Sequence, residues 1–343
     1  MSPLFARKLK LLGLMCAFTS GVGVLYELID EKTVTTSSIL FGLPMGLSFA
    51  VMELFVFNRF RKRLQPLPFV PLVLVKATLY TLIVWPAAVA VGLGVGLATG
   101  KSWEEFVASI VAREMIVLLA FVLAVYAGMV FFLEINRMLG HHALMRFIRG
   151  KYRRPTQEDR IFMFLDLKAS TTIAERLGSR YYLLLNEFFH DISLPVMMTR
   201  AEIYQYVGDE VVLTWQLGAG LRDANCLRTY SLIQDAVAGR ADEYMRRYGT
   251  VPEYKAGLHC GVVVSAQIGD IKREIVYNGD VVNTASRIQE QCGELGEDLV
   301  VSDDLMRLVE VPDGFKAEPL GHIDLKGKEQ PVALWALRAG YAA

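Results

Sequence analysis

Residues 204–215, YQYVGDEVVLTW, decide the fold. Two strand-like runs flank Gly208-Asp209, and a glycine–aspartate pair between such runs makes a tight hairpin with Asp209 at its tip. Helical stretches lie on both sides of this hairpin, at about 180–199 and 222–248. A parallel sheet needs a crossover between successive strands, whereas strands that pair as hairpins between helices define an α+β domain. Upstream, IFMFLD at 161–166 belongs to a strand over 160–167 that carries Asp166 near its end. The run Lys168-Ala169-Ser170-Thr171-Thr172 then opens a helix over 170–177, whose free amides suit phosphate groups. Downstream come strands at 254–264, 267–270 and 274–278, then a helix from Val281 to about Cys292. A short strand, a short helix and two more strands close the chain.

The other half reads differently. Residues 1–135 are overwhelmingly apolar, and four stretches, 9–28, 38–57, 69–98 and 108–134, each reach the roughly 20 residues that cross a bilayer. Pro86 lies inside the third stretch, which predicts a tilt or kink there. The connections alternate in charge. Arg7, Lys8 and Lys10 precede the first stretch, Arg59, Arg61, Lys62 and Arg63 follow the second, and a basic run from Arg137 to Arg154 follows the fourth. The other two loops, near Asp30 and Glu105, are slightly acidic. Positive loops stay cytoplasmic, so the expectation is a multi-pass protein of the cell membrane with both termini and the second domain in the cytoplasm. Arg113 and Glu114 fall near the outer end of the fourth stretch, where long side chains snorkel to the interface.

The predicted organisation is therefore a four-span domain over 1–135, a helical connector over 136–157 and a catalytic domain over 158–343. Leading from the fourth stretch into the connector, Phe132, Ile135 and Leu139 start an apolar stripe that Leu144 and Ile148 continue. Gly140-His141-His142 interrupts it and reads as a solvated kink. The formal net charge is zero, which gives no sign of a nucleic-acid partner. The four cysteines form no C-x-x-C pair; Cys16 lies in an apolar stretch, and Cys226, Cys260 and Cys292 read as reduced packing residues. Both outer loops are short, which excludes a sizeable ligand-binding domain outside the membrane.

The chemistry rests on a few positions. Asp166 and Asp209 each sit where a strand gives way to a turn, and Asn283 and Arg287 lie four residues apart on one helix face. Near the C-terminus Lys326 and Lys328 flank Gly327. Two carboxylates with an amide, a guanidinium and a lysine are parts for metal-assisted chemistry on a phosphate ester.

In order, the chain carries F-x-D-L-x-x-S-T, Y-V-G-D-E, G-L-H-C-G-V-V, N-G-D-V-V-N-T-A-S-R and L-K-G-K. This ordered set resembles the class III nucleotidyl cyclases, the adenylyl and guanylyl cyclases, over about residues 158–340. The resemblance implies a ferredoxin-like βαββαβ core with extra elements. It implies two Mg²⁺ or Mn²⁺ ions held by Asp166 and Asp209, one helping to deprotonate the ribose 3′-hydroxyl and the other clamping the triphosphate. It further implies that Asn283 positions the ribose and Arg287 stabilises charge on the α-phosphoryl. Lys326 would contact the terminal phosphates, with main-chain amides around Thr171 adding to them. In such enzymes the metal aspartates of one protomer face the Asn and Arg of the other, so a homodimer with two equivalent sites is implied, anchored among membrane lipid.

The base-reading positions depart from the family pattern. Gln205, four residues before Asp209, stands where adenylyl enzymes commonly have lysine. Val276, seven residues before Asn283, stands where they have aspartate or threonine. The Glu/Cys pair of guanylyl enzymes is also missing, and ATP is the favoured substrate, with GTP the alternative. A non-catalytic nucleotide-binding membrane receptor is a second reading. A diguanylate cyclase is a third, disfavoured because Val207 and Val211 replace the outer residues of its Gly-Gly-Asp-Glu-Phe signature.

Overall fold

The computed structural model describes residues 3–29, 36–57, 67–98, 102, 104, 113–139, 152, 154–271 and 273–339. The chain divides into two compact units, residues 1–139 and 140–343. His141, His142, Leu144, Ile148 and the basic loop from Arg59 to Arg63 lie outside the described residues, as do the side chains of Arg113 and Glu114.

The first unit holds helices α1 (Pro3–Ile29), α2 (Thr36–Val51), α3 (Phe69–Ala98) and α4 (Arg113–Leu139). A π-helical stretch, Met52–Phe57, continues α2. Among the described residues no helix is long and apolar enough to cross a membrane, so the four-span expectation rests on the sequence. Glycines let α1 and α2 approach closely: a Cβ at Gly42 would lie 2.4 Å from the Cα of Ser20, and one at Gly46 would lie 2.5 Å from the Cα of Cys16. Thr19 Oγ1 donates to the Gly42 carbonyl at 2.7 Å across that contact. Lys76 of α3 joins three elements. Its Nζ lies 3.2 Å from Glu53 of the π-helical stretch and 2.8 Å from Glu134 of α4, and all three side chains are largely buried. Tyr80 donates a further bond to Glu53 at 2.6 Å.

The second unit is a mixed sheet with helices on both faces. Its elements are β1 (Thr156–Leu167), α5 (Ser170–Leu177), α6 (Arg180–Met198), β2 (Glu202–Val207), β3 (Glu210–Gln216), α7 (Leu217–Leu221), α8 (Asn225–Ala238) and α9 (Ala241–Tyr248). Then come β4 (Tyr254–Ile268), β5 (Glu274–Asn278), α10 (Asp280–Leu295), β6 (Leu299–Ser302), α11 (Asp303–Met306), β7 (Phe315–Ile323) and β8 (Val332–Ala339). The strand order is β2-β3-β1-β4-β6-β8-β7, with β5 paired to β4. The first four strands, in order β2-β3-β1-β4 with β1 antiparallel to both neighbours, form the expected βαββαβ core.

The run IFMFL is continuously apolar because β1 is covered on both faces. Ile161, Met163 and Leu165 join the core built with α6 and α8, while Phe162 and Phe164 pack with Val281 and Ala285 of α10. Two local expectations change. The helix expected over 222–248 is two helices, Asn225–Ala238 and Ala241–Tyr248, divided at Gly239-Arg240. Glycine is a poor helix former, and Arg240 there binds Asp191 and Glu187 of α6. The strands expected at 254–264 and 267–270 are one 15-residue strand, β4. It pairs with β1 from Thr156 to Leu167 and with β5 beyond Val264.

Candidate active site

Asp166 and Asp209 reach one place from two adjoining strands. Val207 pairs with Glu210, so Gly208-Asp209 is a two-residue loop, and Gly208 takes the positive φ of 64° that its first position requires. β3 pairs with β1 up to Leu165, which brings the hairpin tip beside Asp166. Burial and the neighbouring Asp209 carboxyl raise the Asp166 pKa above its usual value, while Lys255 opposes the rise. Glu210 is pushed up to about 7, first by burial and then by Asp166 and Asp209. Three acidic groups therefore crowd one another. Asp209 Oδ2 is buried without a hydrogen-bond partner.

That crowding and that buried oxygen fit a divalent cation: converging carboxylates repel one another until positive charge arrives. Among the described residues no group of three or more acidic, histidine or cysteine side chains is placed to hold a metal ion. Mg²⁺ commonly takes one or two carboxylates and fills its remaining positions with water and substrate phosphate, so two aspartates suffice.

Asp166 is held by two further side chains. Gln289 Nε2 donates to its Oδ2 at 3.2 Å, and Lys255 Nζ lies 4.0 Å from the same oxygen. Lys255 stands directly opposite Asp166 in the β1–β4 register. Gln289 comes from α10 and is buried. Neither residue carries a sequence signal, because each is one polar position in an ordinary strand or helix.

Asn283 and Arg287 lie on α10 as well, Asn283 exposed and Arg287 half-buried. At about 100° per residue they share a face, and Arg287 points about 200° around the helix from Gln289. The structure therefore turns Arg287 away from the aspartate that Gln289 holds. Arg287 instead meets the turn between β7 and β8: a Cβ on Gly327 would lie 3.3 Å from its Nη2. On that turn Lys326 is exposed, while Lys328 pairs with Asp280 at the start of α10 and holds its carboxyl below the usual range.

Thr171 is exposed in the first turn of α5. Gln205 is exposed on β2, and Val276 is half-buried on β5. Their chain neighbours Tyr204 and Tyr277 meet edge-on with ring centroids 5.0 Å apart, so side chains of the two strands bearing the base-reading candidates meet across the sheet face.

Residues 154–338 match the family described as the adenylate and guanylate cyclase catalytic domain. The chain belongs to that family. It is similar to adenylate cyclase 2 of Rhizobium meliloti (strain 1021), 33% identical over 286 residues that cover 83% of this chain and 78% of that protein. An adenylate cyclase of Anabaena cylindrica is 23% identical over 185 residues, 52% of this chain and 36% of that protein. Among solved structures, a bacterial light-regulated adenylyl cyclase shares the fold with a TM-score of 0.53 at 17% identity, covering 65% of this chain and 67% of that one.

Proposed function

We propose that this chain is a membrane-bound adenylate cyclase, forming cyclic AMP and pyrophosphate from ATP at sites shared between two copies of itself. Family membership supports the cyclase chemistry, and the similarity to an adenylate cyclase over most of both chains favours ATP. The observation that carries the shared site is the orientation of α10. Gln289 faces the Asp166 of its own chain while Arg287 lies on the other side of the helix, which supports a second chain supplying the guanidinium to each aspartate pair. Two-fold symmetry makes both composite sites equivalent.

Asp166 and Asp209 would hold two Mg²⁺ or Mn²⁺ ions, which when bound supply activation of the ribose 3′-hydroxyl and charge neutralisation on the triphosphate. Asn283 of the other chain orients the ribose, so that the 3′-oxygen lies in line with the α-phosphorus and the pyrophosphate leaving group. Arg287 offsets the negative charge that gathers on the α-phosphoryl oxygens during transfer. Lys326 and the amides around Thr171 hold the terminal phosphates. Gln205 can donate to or accept from a purine edge, whereas Val276 packs against it.

The four apolar stretches and the alternating charge of their connections support a multi-pass anchor in the cell membrane, with termini and catalytic domain in the cytoplasm. The direct test incubates full-length protein in membranes with Mn²⁺ and either ATP or GTP. Cyclic AMP from ATP, with little cyclic GMP from GTP, is expected. Preferential cyclic GMP would reassign the base, and no cyclic product from a verified dimer would favour a nucleotide-binding receptor.

A further inference from the structure

We propose that Gln289 is a positioning residue for Asp166, and that through it α10 ties the metal half of one composite site to the ribose and phosphate half of the other. The inference rests on the shared-site reading for its second half only. Three observations carry it. Gln289 is buried, 4% exposed, and its amide donates to Asp166 Oδ2 at 3.2 Å. The helix backbone there is locked to the sheet, because a Cβ on Gly257 of β4 would lie 2.3 Å from the Gln289 nitrogen. Lys255 approaches the same oxygen from the facing strand.

A carboxylate gripped through Oδ2 from a helix and a strand has a fixed rotation, which leaves Oδ1 for a cation. A donor suits this place better than another acceptor, because Asp166, Asp209 and Glu210 already crowd it. Partners that orient a ligating side chain commonly set metal affinity by about 10- to 100-fold. Asn283 and Arg287 lie within two turns of Gln289 on the same rigid helix. In a dimer, a shift of α10 that accompanies nucleotide binding at one site is therefore transmitted to the aspartate of the other.

The test is Mn²⁺ binding to the full-length protein without nucleotide, read by electron paramagnetic resonance of the free ion. Gln289→Leu should weaken Mn²⁺ binding about 10- to 100-fold. At saturating Mn²⁺ its KM for ATP should stay near that of the wild type. Unchanged Mn²⁺ affinity in Gln289→Leu would overturn the proposal.

A folding defect is separated from positioning in mixed dimers of an Asp166→Ala chain with an Arg287→Ala chain, which keep one intact site. Gln289→Leu placed on the Arg287→Ala chain, which owns the working Asp166, should raise the Mn²⁺ requirement. On the Asp166→Ala chain it should not. An equal effect from both placements would contradict positioning. If the mixed dimers show no activity even with Gln289 intact, the shared-site reading fails, while the Mn²⁺ titration still judges Gln289.

Discussion

His259 is buried on β4, with Nδ1 2.8 Å from Ser302 Oγ, and burial lowers its pKa to about 4. A histidine in the unfolded chain titrates near 6.5. As pH falls through 6.5 the unfolded chain therefore takes up a proton that the folded domain refuses until about 4. Its contribution to stability is full above about 6.5 and is lost progressively below it. Between pH 7 and pH 5 the wild type should lose about 2 kcal/mol more than a His259→Asn variant, measured by thermal or urea unfolding. Equal losses would show that the imidazole is not held neutral. At this scale the sequence was legible where a side chain marks the end of an apolar strand or a hairpin tip, as Asp166 and Asp209 do. Gln289, Lys255 and Glu210 were not legible as a group, because strand register and helix phase bring them to Asp166, and no spacing along the chain records that.

At the scale of elements, hydrophobic period and turn chemistry carried the α+β class, and the resemblance to the cyclases supplied the βαββαβ core. The misplaced boundaries have physical causes. Gly239-Arg240 breaks a helix whose polar content looks continuous, and β4 runs through because β1 and β5 each pair with part of its length. In the first unit, Glu53, Lys76 and Glu134 gave no signal as a group. They lie on different elements; Glu53 and Lys76 are each the single charge of an apolar stretch, and Glu134 closes the fourth. Charges buried in this way are expensive and persist when they face one another. Lys76→Met removes the ammonium between two carboxylates and should destabilise the first unit by about 3 kcal/mol. Lys76→Arg, which keeps the charge, should cost less. Thermal unfolding of the purified protein reads the difference, and a Lys76→Met protein as stable as the wild type would mean the bridge contributes nothing.

At the scale of the whole molecule, the central claim is that one chain holds two half-sites that face different ways. Asp166 and Asp209 meet where β1 ends beside the β2–β3 hairpin, while Asn283 and Arg287 stand about 120° and 160° around α10 from the Gln289 that buttresses Asp166. The order of motifs in the sequence indicated which residues belong together. The proposal that they belong together across two chains rests on the phase of α10. The measurement that tests this most directly mixes an Asp166→Ala chain with an Arg287→Ala chain and assays cyclic AMP from ATP. Each variant alone should be inactive, and the mixture should recover up to about half of the wild-type activity per heterodimer, because one of its two symmetric sites is intact. A verified heterodimer that stays inactive, or either homodimeric variant that keeps wild-type turnover, would contradict the account.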